Sequence, residues 1–283
     1  MAADLERWLT LSVAATYAVS IGALAVEHLA LWAVGERPDR RQGVVSVASG
    51  ALAFGGLALA HRLLYAGILA IAWRHRAVDL GGGPAAWLAA FVLNDLMFYV
   101  AHRAGHRVRL LWCFHSVHHT SEEMRLTSAI RGSALDFVYL PWFFVWLPLV
   151  GLHPALVLIA EAWGRIWGVL VHVHPRFVGR LGVLDRLCVT PSVHRVHHGR
   201  NAEYIDRNYG EVLLLWDRLF GSYQVEEAPP EYGVLAPVDP GDLVDVQLSP
   251  WRALWRDVRA AEGARRRLAL VFGPPGAKES GAD

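Results

Sequence analysis

Long apolar runs limit what this chain can fold into more than any other feature. Leu9 to Val34 carries only Glu27 and His28 as strongly polar members, and ~20 apolar residues suffice to cross a bilayer core. A backbone in hydrocarbon must satisfy its own hydrogen bonds, so such runs are expected to be helices. Val44 to Trp73 is a second run, interrupted by His61 and Arg62. Ala85 to Val100, with Asn94 and Asp95, is a third. Ala134 to Val150 and Pro154 to Val171 are a fourth and fifth, separated by the turn GLHP. The first run is too long, and its start too weakly charged, for a cleaved signal peptide, so it is expected to be retained. Composition agrees with a membrane protein. The chain is 54% hydrophobic and 19% charged, against ~25% charged in ordinary soluble domains.

Net charge is +1, which supplies no field for nucleic acid. Cys113 and Cys188 are far apart and outside any CxxC pattern, so neither a disulfide framework nor a thiolate metal site is expected. Arginines near the spans set orientation, because cytoplasmic loops collect them. Arg37, Arg40, Arg41, Arg103, Arg107, Arg109, Arg125 and Arg131 fall on one side, and Arg7, Arg74 and Arg76 on the other. Five spans then place the N-terminus outside and the C-terminal part in the cytoplasm; the alternative is that spans four and five form a re-entrant hairpin.

Three units are expected: an N-terminal span and loop over 1–43, a membrane domain over 44–235, and a C-terminal unit over 236–283. Residues 176–248 read as a helical cap on the spans. In the last unit Trp251, Leu254, Trp255 and Val258 share one helical face and Arg252, Arg256 and Arg259 lie off it. That pattern fits a helix at the membrane interface, and equally a surface helix packed on the cap. The tail GPPGAKESGAD has the composition of a disordered segment.

Histidines carry the chemical signal. His102 and His106 are four apart at the end of the third run. His115, His118 and His119 follow as H-x2-H-H, and His194, His197 and His198 repeat that spacing. On a helix, positions three and four apart share a face, so each box points its imidazoles one way. Imidazole suits iron, zinc, copper and nickel. Eight or nine rings exceed what one ion takes, so two ions are implied. The boxes lie beyond the ends of the spans, whereas a transporter would place ligands near the bilayer midplane; a non-catalytic metal-binding or transport protein is the weaker reading. Asp95 is two helical turns before His102 on the same face and could orient a ligand ring. Glu122, Glu123 and Asp206 are further candidates for that role.

The segments LNDLMFYVAHRAGH, LWCFHSVHHTSEEMRLTSAIRGS and TPSVHRVHHGRNAEYIDRNYGEVLLLWDRLFGSY resemble membrane di-iron oxygenases of the fatty acid hydroxylase / sterol desaturase superfamily. They are similar to its branch of bacterial sterol desaturase family proteins and alkylglycerol monooxygenase. The resemblance covers roughly residues 45–235. It implies an all-α integral membrane protein, four to five transmembrane helices with a cytosolic cap, in a bacterial inner membrane. It also implies two iron ions that use O2 to hydroxylate a lipid C–H bond. The alternative is a desaturase that forms a C=C bond with the same centre. His102, His106, His115, His118, His119, His194, His197 and His198 match the family's box positions. A further family ligand lies about sixteen residues before the TPS of the third box, which lands on His174, with His172 as its rival. Asn208, like Asp95, is a candidate to support the ligands. No haem, flavin or iron–sulfur motif is visible, so electrons are expected from an external cytochrome, ferredoxin or pterin donor. Where the family often has an aromatic residue and Asn, this chain has Met124-Arg125, and an arginine there would favour an anionic lipid headgroup.

Overall fold

The computed structural model describes residues 2–276, with isolated bridges but no longer strand among them. Helices α1 (Ala2–Ala33), α2 (Arg40–Ala60), α3 (Ala66–Arg74) and α4 (Pro84–Arg107) come first. They are followed by α5 (Arg109–His119), α6 (Leu126–Ala129), α7 (Pro154–Leu170) and α8 (Pro191–His198). The chain then forms α9 (Leu215–Leu219), α10 (Leu243–Ala260) and α11 (Ala264–Phe272).

Three stretches are long and apolar enough to cross a membrane: Arg7–Ala33, Arg40–Arg74 and Pro84–Arg107. The second stays helical through the polar interruption by taking a π-helical turn, His61–Tyr65, between α2 and α3. On α1, Ile21, Val26, Leu29 and Trp32 are each 65–67% exposed, as expected of side chains that meet lipid.

The expected fourth span is not a regular helix. Ala134 to Val150 is a series of tight turns, with 3-10 segments at Asp136–Val138 and Leu140–Phe143. Pro141 and Pro148 supply no amide donor and crowd the preceding turn, so a continuous α-helix cannot run through them. The backbone uses shorter bonds instead, such as Phe144 N–H to Pro141 O at 3.1 Å and Leu147 N–H to Phe144 O at 3.0 Å. This segment buries Phe144 and Leu147 against Ala86 and Ala90 of α4 and Leu156 of α7. The fifth run forms α7, with 17 residues.

The first helix packs along α7. Its polar exception, Glu27, is buried and accepts from the amides of Leu126 and His174, both at 2.7 Å. A carboxylate inside an apolar run thereby fastens the start of α6 and the turn after α7.

The C-terminal stripe divides. Leu254 is buried and Trp251 meets Phe114 of α5 edge-on at 4.8 Å, while Trp255 is 64% exposed. Thus α10 packs on α5 with part of its apolar face and presents the rest outward. Gly263, at φ +78°, breaks the chain between α10 and α11. The expected disordered tail lies beyond the described residues from position 277 onward. Cys113 and Cys188 are both free thiols.

Candidate metal centre

Three helix ends and one turn build the centre. α4 delivers His102 and His106 at its C-terminal end. The chain reverses at Val108, which is extended, and α5 returns with His115, His118 and His119. α8 starts at Thr190, whose hydroxyl accepts from the Val193 amide, and Pro191 sits in its first turn, where a missing donor costs nothing. Its eight residues then present His194, His197 and His198.

The rings fall into two groups. His102, His106, His115, His119 and His197 form one, and His118, His172, His194 and His198 the other. Within each group the candidate ligand atoms lie within 4.8 Å of one another. The groups touch, since His119 stacks on His198 at 4.4 Å.

In the first group, His119 Nε2 lies 3.1 Å from His106 Nε2 and 3.2 Å from those of His115 and His197. In the second, His172 Nε2 lies 3.2 Å from His118 Nε2 and 3.1 Å from those of His194 and His198. A neutral imidazole has one N–H, so these contacts cannot all be hydrogen bonds. The protons are committed elsewhere. Nδ1–H of His102 donates to Tyr209 O at 2.8 Å, and that of His197 to Arg207 O at 2.9 Å. His118 donates to Arg131 O at 3.1 Å and His172 to Gly168 O at 2.6 Å. In these four rings Nε2 is left as a lone pair pointing at other ring nitrogens.

Burial pushes the imidazoles outside the spans toward the neutral form, and neighbouring rings, or for His118 the Arg131 charge, add to the effect. His118 falls to about 4 and His197 to about 3. His115, His119, His172, His194 and His198 lie well below the ordinary range for the same reasons. Neutral, convergent nitrogens are what a cation of intermediate softness requires. Metal–nitrogen bonds of ~2.0–2.1 Å put adjacent ligand nitrogens ~3.0–3.4 Å apart, which the observed separations match.

The structure brings His172 into the centre and leaves His174 out of it. α7 ends at Leu170, and His172 keeps the helical reach back to Gly168 O, which aims its ring inward. Two residues on, the His174 amide is bound by Glu27 and its ring packs near Phe177 at 6.2 Å.

The candidate supporting carboxylates act mostly on backbone. Asp95 accepts from the Val212 amide at 2.9 Å and the Trp216 indole at 2.7 Å, so it clamps the segment after Tyr209 and no ligand ring. Asn208, fully buried, donates to Val193 O at 3.0 Å and accepts from the Gln224 amide at 2.8 Å, which ties α8 to the segment after α9. Asp206 pairs with Arg107 at 2.7 Å and stands 3.8 Å from His106 Nδ1. Glu123 binds the Asp39 amide at 2.7 Å, and the Glu122 amide donates to Gln42 at 3.0 Å. Arg125 is buried, pairs with Glu123 at 2.9 Å and donates to Asp39 O. Its charge is used internally, which removes the basis for reading it as a headgroup receptor.

A cavity of about 220 Å³ opens on His102, His115, His118, His172 and His194. Phe54, Leu57, Phe98, Phe114 and Leu140 supply apolar walls. Glu211, Arg165 and Asp136 also reach it. Spacing could not have found these three, since each is a lone charged residue in a mixed segment. A larger cavity of about 540 Å³ lies between α5 and α10 around Trp112, Arg109 and Arg252, and no histidine lines it.

Human (Homo sapiens) alkylglycerol monooxygenase is 32% identical over 200 residues, covering 68% of this chain and 43% of that protein. The alkylglycerol monooxygenase of Xenopus tropicalis is 30% identical over 262 residues, 89% of this chain and 56% of its own length. Ornithine lipid hydroxylase OlsE of Rhizobium tropici is 29% identical over 177 residues, 58% of this chain and 51% of that protein. The chain thus spans about half the length of these curated relatives. No solved structure matches it. Residues 87–222, a stretch that holds all nine converging histidines, match the family model described as fatty acid hydroxylase, so this chain carries a fatty acid hydroxylase domain.

Proposed function

We propose that this protein is a membrane-bound, di-iron lipid hydroxylase. The observation that carries the reading is the convergence of nine imidazoles into two groups with several Nδ1 protons locked on backbone carbonyls. Facing lone pairs repel unless a cation lies between them, and a carbonyl that fixes the tautomer also raises ligand basicity. His102, His106, His115, His119 and His197 would hold one iron, and His118, His172, His194 and His198 the other. When bound, the iron pair supplies O2 activation and oxidation of an unactivated C–H bond. The chain's own residues do the rest. Tyr209 O, Arg207 O, Arg131 O and Gly168 O hold ring orientation. Phe54, Leu57, Phe98 and Phe114 wall the adjacent cavity with apolar surface that suits lipid and excludes water.

The substrate enters from a membrane crossed by at least the three apolar helical stretches, with the centre on the cytoplasmic side, as the arginine distribution suggests. An external protein or small-molecule donor supplies the electrons. Iron and zinc analysis of the purified protein, alone and as a His118→Ala/His197→Ala double variant, tests the metal claim. About two ions per chain falling toward zero is the expected result, and unchanged content refutes it. Lipid mass spectrometry of cells with and without the protein tests the reaction, with a gain of one oxygen expected.

Desaturation is the second reading. It is favoured by the likeness to the Delta(7)-sterol 5(6)-desaturase of Candida glabrata, 28% identical over 141 residues. Loss of two hydrogens in place of a gained oxygen would select it.

A further inference from the structure

The cavity beside the histidines contains an acid with nothing to bind. Glu211 is 7% exposed and lines the cavity with His102, His115 and His194. Its carboxyl makes no hydrogen bond and no close ion pair among the described residues, and only Arg165, across the same cavity, attracts it from a greater distance. An ionisable group taken from water without a partner lowers stability, and native structures keep few of them. Arg165 stands closer to Glu161, at 3.9 Å, so its charge is shared and leaves the Glu211 oxygens open to a donor from the cavity.

The position is also built. The amides of Tyr209 and Gly210, on one side of Glu211, donate to Asp217 at 2.7 and 2.8 Å. The amide of Val212, on the other side, donates to Asp95. Both neighbours are therefore pinned by buried carboxylates, and the Glu211 side chain leaves a rigid segment. It lies on α7 where Gly164 has no side chain, because a Cβ there would overlap the Glu211 carboxyl. Glycine at 164 is what lets the carboxyl occupy this place.

We propose that Glu211 selects the substrate by accepting a hydrogen bond from a hydroxyl or ammonium group of the lipid, close to the carbon that is oxidised. At about 220 Å³ the cavity is smaller than the ~300–1,000 Å³ of sites that enclose a whole small ligand, so it receives one polar end of a lipid with the apolar walls around it. The substrate class is thus a lipid with a hydrogen-bond donor near its reacting carbon, as opposed to a bare alkyl chain. A site built around an unpaired acceptor discriminates strongly against analogues that lack the donor. This inference rests on the lipid oxygenase reading.

The test measures binding of paired lipids to the detergent-solubilised full chain by tryptophan fluorescence. One pair is a monoalkylglycerol and its di-O-methyl ether. The other is an amine-headed lysolipid and its N-acetyl form. Product formation and iron content are recorded separately. The parent protein should prefer the free over the capped lipid of at least one pair by tenfold or more. Glu211→Leu and Gly164→Ala should each reduce that preference about tenfold. Glu211→Gln, which keeps an acceptor but no charge, should retain a preference for the hydroxyl and lose one for the ammonium, which distinguishes the two donors. Equal binding of free and capped lipids by the parent, or a preference unchanged within twofold in Glu211→Leu, overturns the proposal. Because binding is read without turnover, absent iron or absent product counts against the oxygenase reading and leaves the Glu211 result legible.

Discussion

The two histidine groups are alike in chemistry and different in origin. The first draws all five rings from the boxes on α4, α5 and α8. The second takes three from boxes and its fourth, His172, from the turn after α7. Both rely on main-chain carbonyls to hold Nδ1. The first takes them from the loop Arg207–Tyr209, and the second from Arg131 and from α7 itself. Ligands can therefore come from repeated helical spacing or from a single turn, provided a carbonyl aims the ring. The first group depends on the loop after α8, and the second on where α7 ends.

That dependence yields the largest expected effect. His172→Ala should remove about one metal per chain and lower lipid oxidation at least ~100-fold, since a missing ligand exceeds the ~10–100-fold typical of outer partners. His174→Ala should leave metal content at the parent level. Equal metal loss in the two variants would erase the distinction between inward and outward histidines.

Next is the loop that serves the first group. Asp95→Ala strands the Val212 amide and the Trp216 indole, and a buried donor left unpaired costs ~1–3 kcal/mol. Thermal unfolding should show a loss of ~3 kcal/mol in total. The first metal should be released more readily than the second. Release of both together would show that the loop does not act on one group alone.

Acidification should separate the groups more gently. His118 and His197 are neutral when folded, with values pushed to about 4 and about 3, against ~6.5 in an unfolded chain. The unfolded chain takes protons first as pH falls, so the stability from these rings is full above ~6.5 and is lost toward pH 4 and then 3. Metal in the second group, which contains His118, should leave first on dialysis near pH 4. Simultaneous loss near pH 6 would show ordinary, unburied imidazoles.

The smallest effect is expected at the shared helix. Thr190→Ala removes the cap of α8, which feeds both groups, and should cost ~1 kcal/mol with no preference for either metal. A selective loss of one metal would mean that α8 does not move as a unit.

Much of the site was legible in the chain because helical spacing is local. Three- and four-residue intervals put His102 with His106 and His115 with His119 on common faces whatever surrounds them. The apolar runs likewise dictated helices through α4, since lipid leaves the backbone no other partner. Proline at 141 and 148 was also visible, yet apolar content outweighed it in the reading of a fourth span. There the tertiary structure accepted 3-10 turns because Phe144 and Leu147 found a core on α4. His172 and His174 differ by two residues, and neither spacing nor composition separates them. The end of α7 and the Gly168 carbonyl decide between them. Glu211 shows the same limit from the other side. A lone acid carries no spacing to read, and its meaning comes from Asp95 and Asp217, distant in sequence, and from a glycine on another helix. The sequence alone determined which residue types could meet a metal and that long apolar helices stand beside them, because both follow from local periodicity and solvation. Only the tertiary structure decided how nine rings divide into two groups and which acid faces the cavity, because those depend on contacts between helix ends and loops that no interval along the chain encodes.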